Sequence, residues 1–173
     1  EENCKDMKFN VSRNQVFPDV KKYMPTDDDT NYMVIGQIVV EKYGRNFTPE
    51  NMMEVWLRYQ PKDAYCTAER RAFINFAQGF RPPYSAYYKN PYREWIGAQI
   101  RGDYFGYINP GDPETAAEMA YNDARISHVK NGIYGEMFVS AMIACAAVTD
   151  NIEDIILGGL AQIPSTSRLY ESV

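Results

Sequence analysis

Apolar residues recur at a period near 3.6 along most of the chain and alternating runs are sparse, so the pattern predicts helices almost throughout. The first opens near Asp29 and runs to Tyr43, with Tyr32, Met33, Ile35, Gly36, Val39, Val40 and Tyr43 spread widely around it and Gly44 ending it. A helix apolar on so many sides is expected at the centre of the fold. Thr48-Pro49-Glu50 then supplies an N-cap, a proline at the first helical position and an acidic first turn for a second helix through Met53, Val55, Trp56 and Leu57 to Tyr59, stopped by Pro61. A third, Thr67 to Gln78, turns Ala68, Ala72, Phe73, Phe76 and Ala77 inward and stops at Gly79.

Residues 80–95 break this period, combining Pro82, Pro83 and Pro91 with Phe80, Tyr84, Tyr87, Tyr88, Tyr92 and Trp95. They predict a long ordered loop, of the kind that binds or covers something. Its rings offer faces on which a purine stacks, or pin the loop to the core. A short segment, Ile96 to Arg101, leads to a second irregular stretch, Gly102 to Gly111. Asp112-Pro113-Glu114 restarts a helix through Ala116, Ala117, Met119, Ala120, Tyr121 and Ala124 to about Ser127. Asn131-Gly132 opens an amphipathic helix with Ile133, Met137, Phe138, Ala141, Met142 and Cys145 on one core stripe, and helical pieces at 152–160 and 166–171 follow. The class predicted is all-α.

With 173 residues and 45% hydrophobic composition, the chain has the material for one core, and a single domain over 1–173 is expected. A net charge of -5 with scattered Lys and Arg excludes a nucleic-acid backbone binder. Arg70-Arg71, with Glu69 beside them, is the nearest thing to a basic run and is expected on a solvated helix face. The longest apolar stretch, Met137 to Val148, is too short to span a bilayer, so no membrane partner is expected. Cys4, Cys66 and Cys145 are far apart, without a CxxC pair, which leaves zinc no obvious site and fits a cytoplasmic protein. The only histidine is His128, and no GxSxG elbow accompanies it, which sets serine-type relays aside.

The chemistry concentrates at Pro25-Thr26-Asp27-Asp28-Asp29-Thr30-Asn31-Tyr32, three adjacent carboxylates and two hydroxyls at a helix start. A helix dipole offsets only about 0.3–1 kcal/mol per well-placed carboxylate. Three together call for a further positive charge, and Mg²⁺ or Mn²⁺ prefers such oxygen ligands. The plainer alternative is one capping Asp with solvated neighbours.

That run, followed by Ile96-Gly97-Ala98-Gln99-Ile100-Arg101-Gly102-Asp103 and by Asp123-Ala124-Arg125-Ile126-Ser127-His128-Val129-Lys130-Asn131-Gly132-Ile133-Tyr134-Gly135-Glu136, resembles the ADP-ribosylglycohydrolase family in order and rough separation. The resemblance implies an orthogonal multi-helix bundle and two Mg²⁺ or Mn²⁺ ions that position ADP-ribose while water cleaves the bond joining its ribose to a modified side chain. The family's Thr-Asp-Asp-Thr motif falls on Asp27, Asp28, Asp29 and Thr30. This implies Asp27, Asp28 and Asp29 as metal ligands, with Asp28 and Asp29 also the catalytic pair. Asp27 replaces the family's first threonine. Ser127-His128 matches the family's Thr-His, and Gly97, His128 and Asn131 are the implied substrate-binding residues.

The middle motif departs from the family's Gly-Asn-Gly turn and Met-Arg pair: Gly97 and Arg101 match, and the asparagine is missing. Arg101 is also a candidate for a buried ion pair. Neither the family's opening Gly-Asp segment nor its closing Asp-x-Asp-Thr segment occurs, so the chain is expected to be a fragment of a hydrolase domain, weak in metal binding and inactive by itself. The implied partners are an ADP-ribosylated protein or a small ADP-ribosyl compound. Two rivals remain: ADP-ribose or nucleotide binding without cleavage, leaning on Tyr84, Tyr87 and Tyr88, and a catalytically silent helical protein.

Overall fold

The computed structural model describes residues 28–60 and 66–173, and every regular element among them is helical. In order these are α1 (Asp28–Tyr43), α2 (Pro49–Tyr59), α3 (Thr67–Ala77), α4 (Tyr84–Tyr87), a 3₁₀-helix (Ile96–Arg101), α5 (Asp103–Tyr107), α6 (Pro113–Ala124), α7 (Asn131–Ala146), α8 (Ile152–Leu160) and α9 (Arg168–Ser172). Asp27 and the expected stop at Pro61 lie outside the described residues.

Local chemistry sets most of these boundaries. The Thr48 hydroxyl accepts from the Asn51 amide while the Asn51 side chain accepts from the Thr48 amide, a reciprocal cap ahead of Pro49. Asp112 accepts from the Thr115 amide at 3.1 Å ahead of Pro113. Gly44 and Gly79 take positive φ beyond α1 and α3, the left-handed turn that L side chains avoid. Asn151 and Ser167 cap α8 and α9 in the same manner as Asp112.

The centre of the fold is α7 rather than α1. In α1 the buried residues Tyr32, Ile35, Gly36 and Val39 form one stripe, and Val34 is exposed. Helix α7 instead packs against α5, α6, α8, α9 and the 3₁₀-helix. It buries Gly132, Ile133, Gly135, Glu136, Phe138, Ser140, Ala141 and Ala144, which lie on several sides, so the expected single stripe is not what organises it. Met142 and Cys145, expected on that stripe, are only half-buried. Small residues make this crowding possible: a methyl at Gly106 of α5 would stand 2.5 Å from Cβ of Ile143.

The main apolar core gathers Tyr32, Ile35 and Val39 of α1, Met52, Val55 and Trp56 of α2, Phe76 of α3, Phe105 of α5 and Met119 of α6. Burial of Phe105 explains why Gly102–Gly111, expected to be irregular, contains a helical turn. Residues 80–95 are held by buried polar side chains more than by their rings. Asn75 Nδ2 donates to the carbonyls of Ser85 (2.7 Å) and Tyr88 (2.8 Å), Ser85 Oγ donates to Ile126 O (2.7 Å), and Asn90 Nδ2 donates to Ser127 O (2.9 Å). Tyr84 and Tyr87 face solvent, while Tyr88 stacks on Phe80 at 4.3 Å. No helix among the described residues is long and apolar enough to cross a membrane.

Candidate functional site

Arg101 ends the 3₁₀-helix in the interior, where a cation persists only if several acceptors surround it. Its Nε donates to Asp123 Oδ2 (2.5 Å), Nη1 to Glu69 Oε1 (3.1 Å) and Ser127 Oγ (3.0 Å), and Nη2 to the Asp123 carbonyl (3.2 Å). Glu136 Oε2 lies 3.5 Å from Nη2. The guanidinium also faces the rings of Trp56 (5.1 Å) and Tyr32 (5.7 Å). One side chain therefore ties α1, α2, α3, α6 and α7 to the 3₁₀-helix.

A single cation cannot answer three buried carboxylates, and the proton equilibria reflect that. Burial, reinforced by the Asp123 charge and opposed by Arg101, pushes the Glu136 carboxyl well above the ordinary range. Burial likewise raises Glu69, with Arg101 offsetting part of the effect. Burial and then the Arg101 charge push His128 well below its usual value, so the ring is neutral.

Of the residues implied as substrate-binding, His128 belongs to this cluster. It is fully buried, with Nδ1 2.8 Å from Ser127 Oγ and Nε2 3.9 Å from Glu69 Oε1, so it does not line an open pocket as the resemblance suggested. Gly97 is half-buried, and a side chain there would run into the Glu69 carboxylate. Asn131 opens α7 at the surface. Its Oδ1 accepts from the Leu169 amide (3.1 Å) and its Nδ2 donates to Glu94 Oε2 (3.4 Å). Glu94 also meets Arg168 Nη2 at 3.1 Å, a pair weakened by solvent because the Arg168 side chain is 80% exposed.

Beside Asn131 lies a groove of about 370 Å³ bordered by Trp95, Ile96, Gln99 and Leu169, and across Arg168 a second of about 430 Å³ bordered by Lys130, Tyr134 and Thr166. Each is large enough for part of a nucleotide-sized ligand. Trp95 and Ile96 present exposed apolar faces to the first.

Asp28 and Asp29 form the exposed first turn of α1. The charge of Asp29 reaches Asp103 at the start of α5, whose carboxyl is raised by partial burial and by that neighbour. Exposed carboxylates at a helix start suit a hard divalent ion in donor chemistry. In number they fall short, because among the described residues no three His, Cys, Asp or Glu side chains converge closely enough to hold a metal.

A family model described as ADP-ribosylglycohydrolase matches residues 4–173. The chain belongs to the ADP-ribosylglycohydrolase family. No curated protein and no solved structure matches it. As an ADP-ribosylglycohydrolase family member it carries the expected all-helical domain, and its 3₁₀-helix ends in a buried arginine. The carboxylates around that arginine escaped the sequence reading. Glu69 sits beside two arginines that suggested solvent, while Asp123 shares a face with Ala116, Met119 and Ala120 and Glu136 with Gly132 and Ile133. The one available signal was helical spacing: Glu69 shares a face with Ala72 and Phe76.

Proposed function

We propose that this chain hydrolyses the glycosidic bond joining ADP-ribose to a modified residue or a small acceptor, with Mg²⁺ or Mn²⁺ bound at the start of α1. The observation that carries the reading is the exposed Asp28-Asp29 turn at the start of α1, with the charge of Asp29 felt at Asp103, in a chain of this family. Asp28 and Asp29 would hold the ion, with Asp27 next to them in the sequence. Such an ion would supply Lewis-acid chemistry at the sugar end of the ligand, with Asp28 and Asp29 as its protein ligands. The protein's own contribution is placement. Trp95 and Ile96 border a groove that excludes water from one face of the ligand, and Asn131 and Gly97 belong to the segments flanking it.

A second reading, recognition of ADP-ribose without cleavage, is favoured by the incomplete set of metal donors among the described residues. Two measurements separate the readings: calorimetry with ADP-ribose in the presence and absence of Mg²⁺ or Mn²⁺, and ADP-ribose release from ADP-ribosylated arginine. Metal-dependent heat with release supports hydrolysis. Heat without release supports recognition, and no heat in any condition overturns both.

A further inference from the structure

His128 is the only histidine of the chain, so the state of its ring can be read without interference. The ring is fully buried between α6 and α7. Its Cδ2 would stand 2.9 Å from a methyl placed on Gly132, the neighbour of groove-lining Asn131.

Its hydrogen-bond partner on one side is unambiguous. Ser127 Oγ lies 2.8 Å from Nδ1 and 3.5 Å from the Ala124 carbonyl, and Arg101 Nη1 donates to the same Oγ at 3.0 Å. A serine hydroxyl has one proton to give. Arg101 occupies one lone pair and the Ala124 carbonyl, at 3.5 Å, lies beyond the usual range for a hydroxyl donor, so the hydroxyl proton goes to the nearer acceptor, Nδ1. The remaining nitrogen then carries the ring proton.

A second contact points the same way. Nε2 lies 3.9 Å from Glu69 Oε1, an oxygen already accepting from Arg101. A proton on Nε2 is attracted to that oxygen, whereas a bare lone pair there would be repelled. At 3.9 Å the two are not hydrogen-bonded, and Nε2 has no other partner among the described residues.

We infer that Arg101 and Ser127 are positioning residues that fix His128 in the tautomer carrying its proton on Nε2, leaving a pre-oriented donor with no acceptor of its own. The tautomer does not depend on the ADP-ribose reading above, because the ring is fully buried and borders neither groove. The groups facing the ring are Ser127 from the segment after α6, Glu69 from α3 and Arg101 from the 3₁₀-helix, with Gly132 from α7 adding no charge.

The test is a long-range proton–nitrogen correlation spectrum of the full chain labelled with ¹⁵N-histidine, at neutral pH. The expected pattern is one dominant tautomer, with a pyrrole-like Nε2 and a pyridine-like Nδ1. Ser127→Ala should convert it to a mixture or to the opposite tautomer, and Ser127→Thr, which restores the hydroxyl, should return it. A dominant proton on Nδ1 in the unaltered protein overturns the inference. So does an unchanged pattern in S127A. If S127A does not melt cooperatively, S127C, of similar size with a weaker donor, takes its place with the same two outcomes.

Discussion

Arg101 Nε donates to Asp123 Oδ2 at 2.5 Å, and both side chains are withdrawn from solvent. This bond closes the 3₁₀-helix onto α6 at the point where Glu69, Ser127 and Glu136 also converge. Removing either partner leaves the other as an unanswered charge in the interior.

Arg101→Met is therefore expected to cost roughly 3–5 kcal/mol of folding stability, read from the urea midpoint. Arg168→Ala, which breaks the exposed pair with Glu94, should cost no more than about 1 kcal/mol. Similar losses from the two variants would mean that the buried cluster is not what holds these helices together.

The Glu136 carboxyl is raised in the folded protein, so its contribution is fully present below the ordinary value of 4.5 and is lost as pH rises through the raised one. Glu136→Gln removes that dependence. Measured against the unaltered protein, the variant should gain relative stability as pH rises above 4.5, levelling off once pH passes the raised value. Glu69 is raised in the same direction and stays in both proteins, so it cancels to first order. A difference independent of pH would show that Glu136 is ionised in both states.

His128 works in the opposite sense. Its folded value is depressed, so the stability it contributes is present above 6.5 and lost as pH falls below that value. Histidine-selective NMR should show a neutral ring persisting below pH 6.5, and a ring that titrates at its ordinary value would contradict its burial.

A methyl on Gly132 would stand 2.8 Å from the Arg93 carbonyl and 2.9 Å from His128 Cδ2, and that same carbonyl accepts from the Val129 amide at 2.8 Å. Gly132→Ala is expected to cost about 1–3 kcal/mol through this overpacking. It should also shift the His128 resonances, because the first turn of α7 has to move off the ring. Unchanged melting and resonances would mean that the turn yields freely.

What could be read from the sequence was the information carried by neighbours along the chain. Thr48-Pro49 and Asp112-Pro113 mark helix starts because a capping oxygen and a fixed φ act within one turn. The Asp28-Asp29 run at the start of α1 was visible for the same reason. The identity of the central helix was not, because α7 buries polar Glu136 and Ser140 beside glycine and alanine, and their partners Arg101 and Gly102 come from a distant segment. Helix α5 was missed because five residues hold a helical turn only through tertiary burial of Phe105. The departure Trp95-Ile96-Gly97-Ala98 could be seen in the sequence; that Gly97 backs onto Glu69 and that His128 lies beneath the first turn of α7 could not.

If Asp28 and Asp29 hold a divalent ion as proposed, ADP-ribose binding depends on that metal. The most direct measurement is the affinity of the full chain for ADP-ribose, titrated calorimetrically with and without Mg²⁺ or Mn²⁺, beside the double variant Asp28→Ala/Asp29→Ala. Both aspartates are exposed, so the variant should keep its melting temperature. The expected result is metal-dependent binding in the unaltered chain and its complete loss in the variant. Equal affinity in the two proteins, with metal or without, would contradict the account.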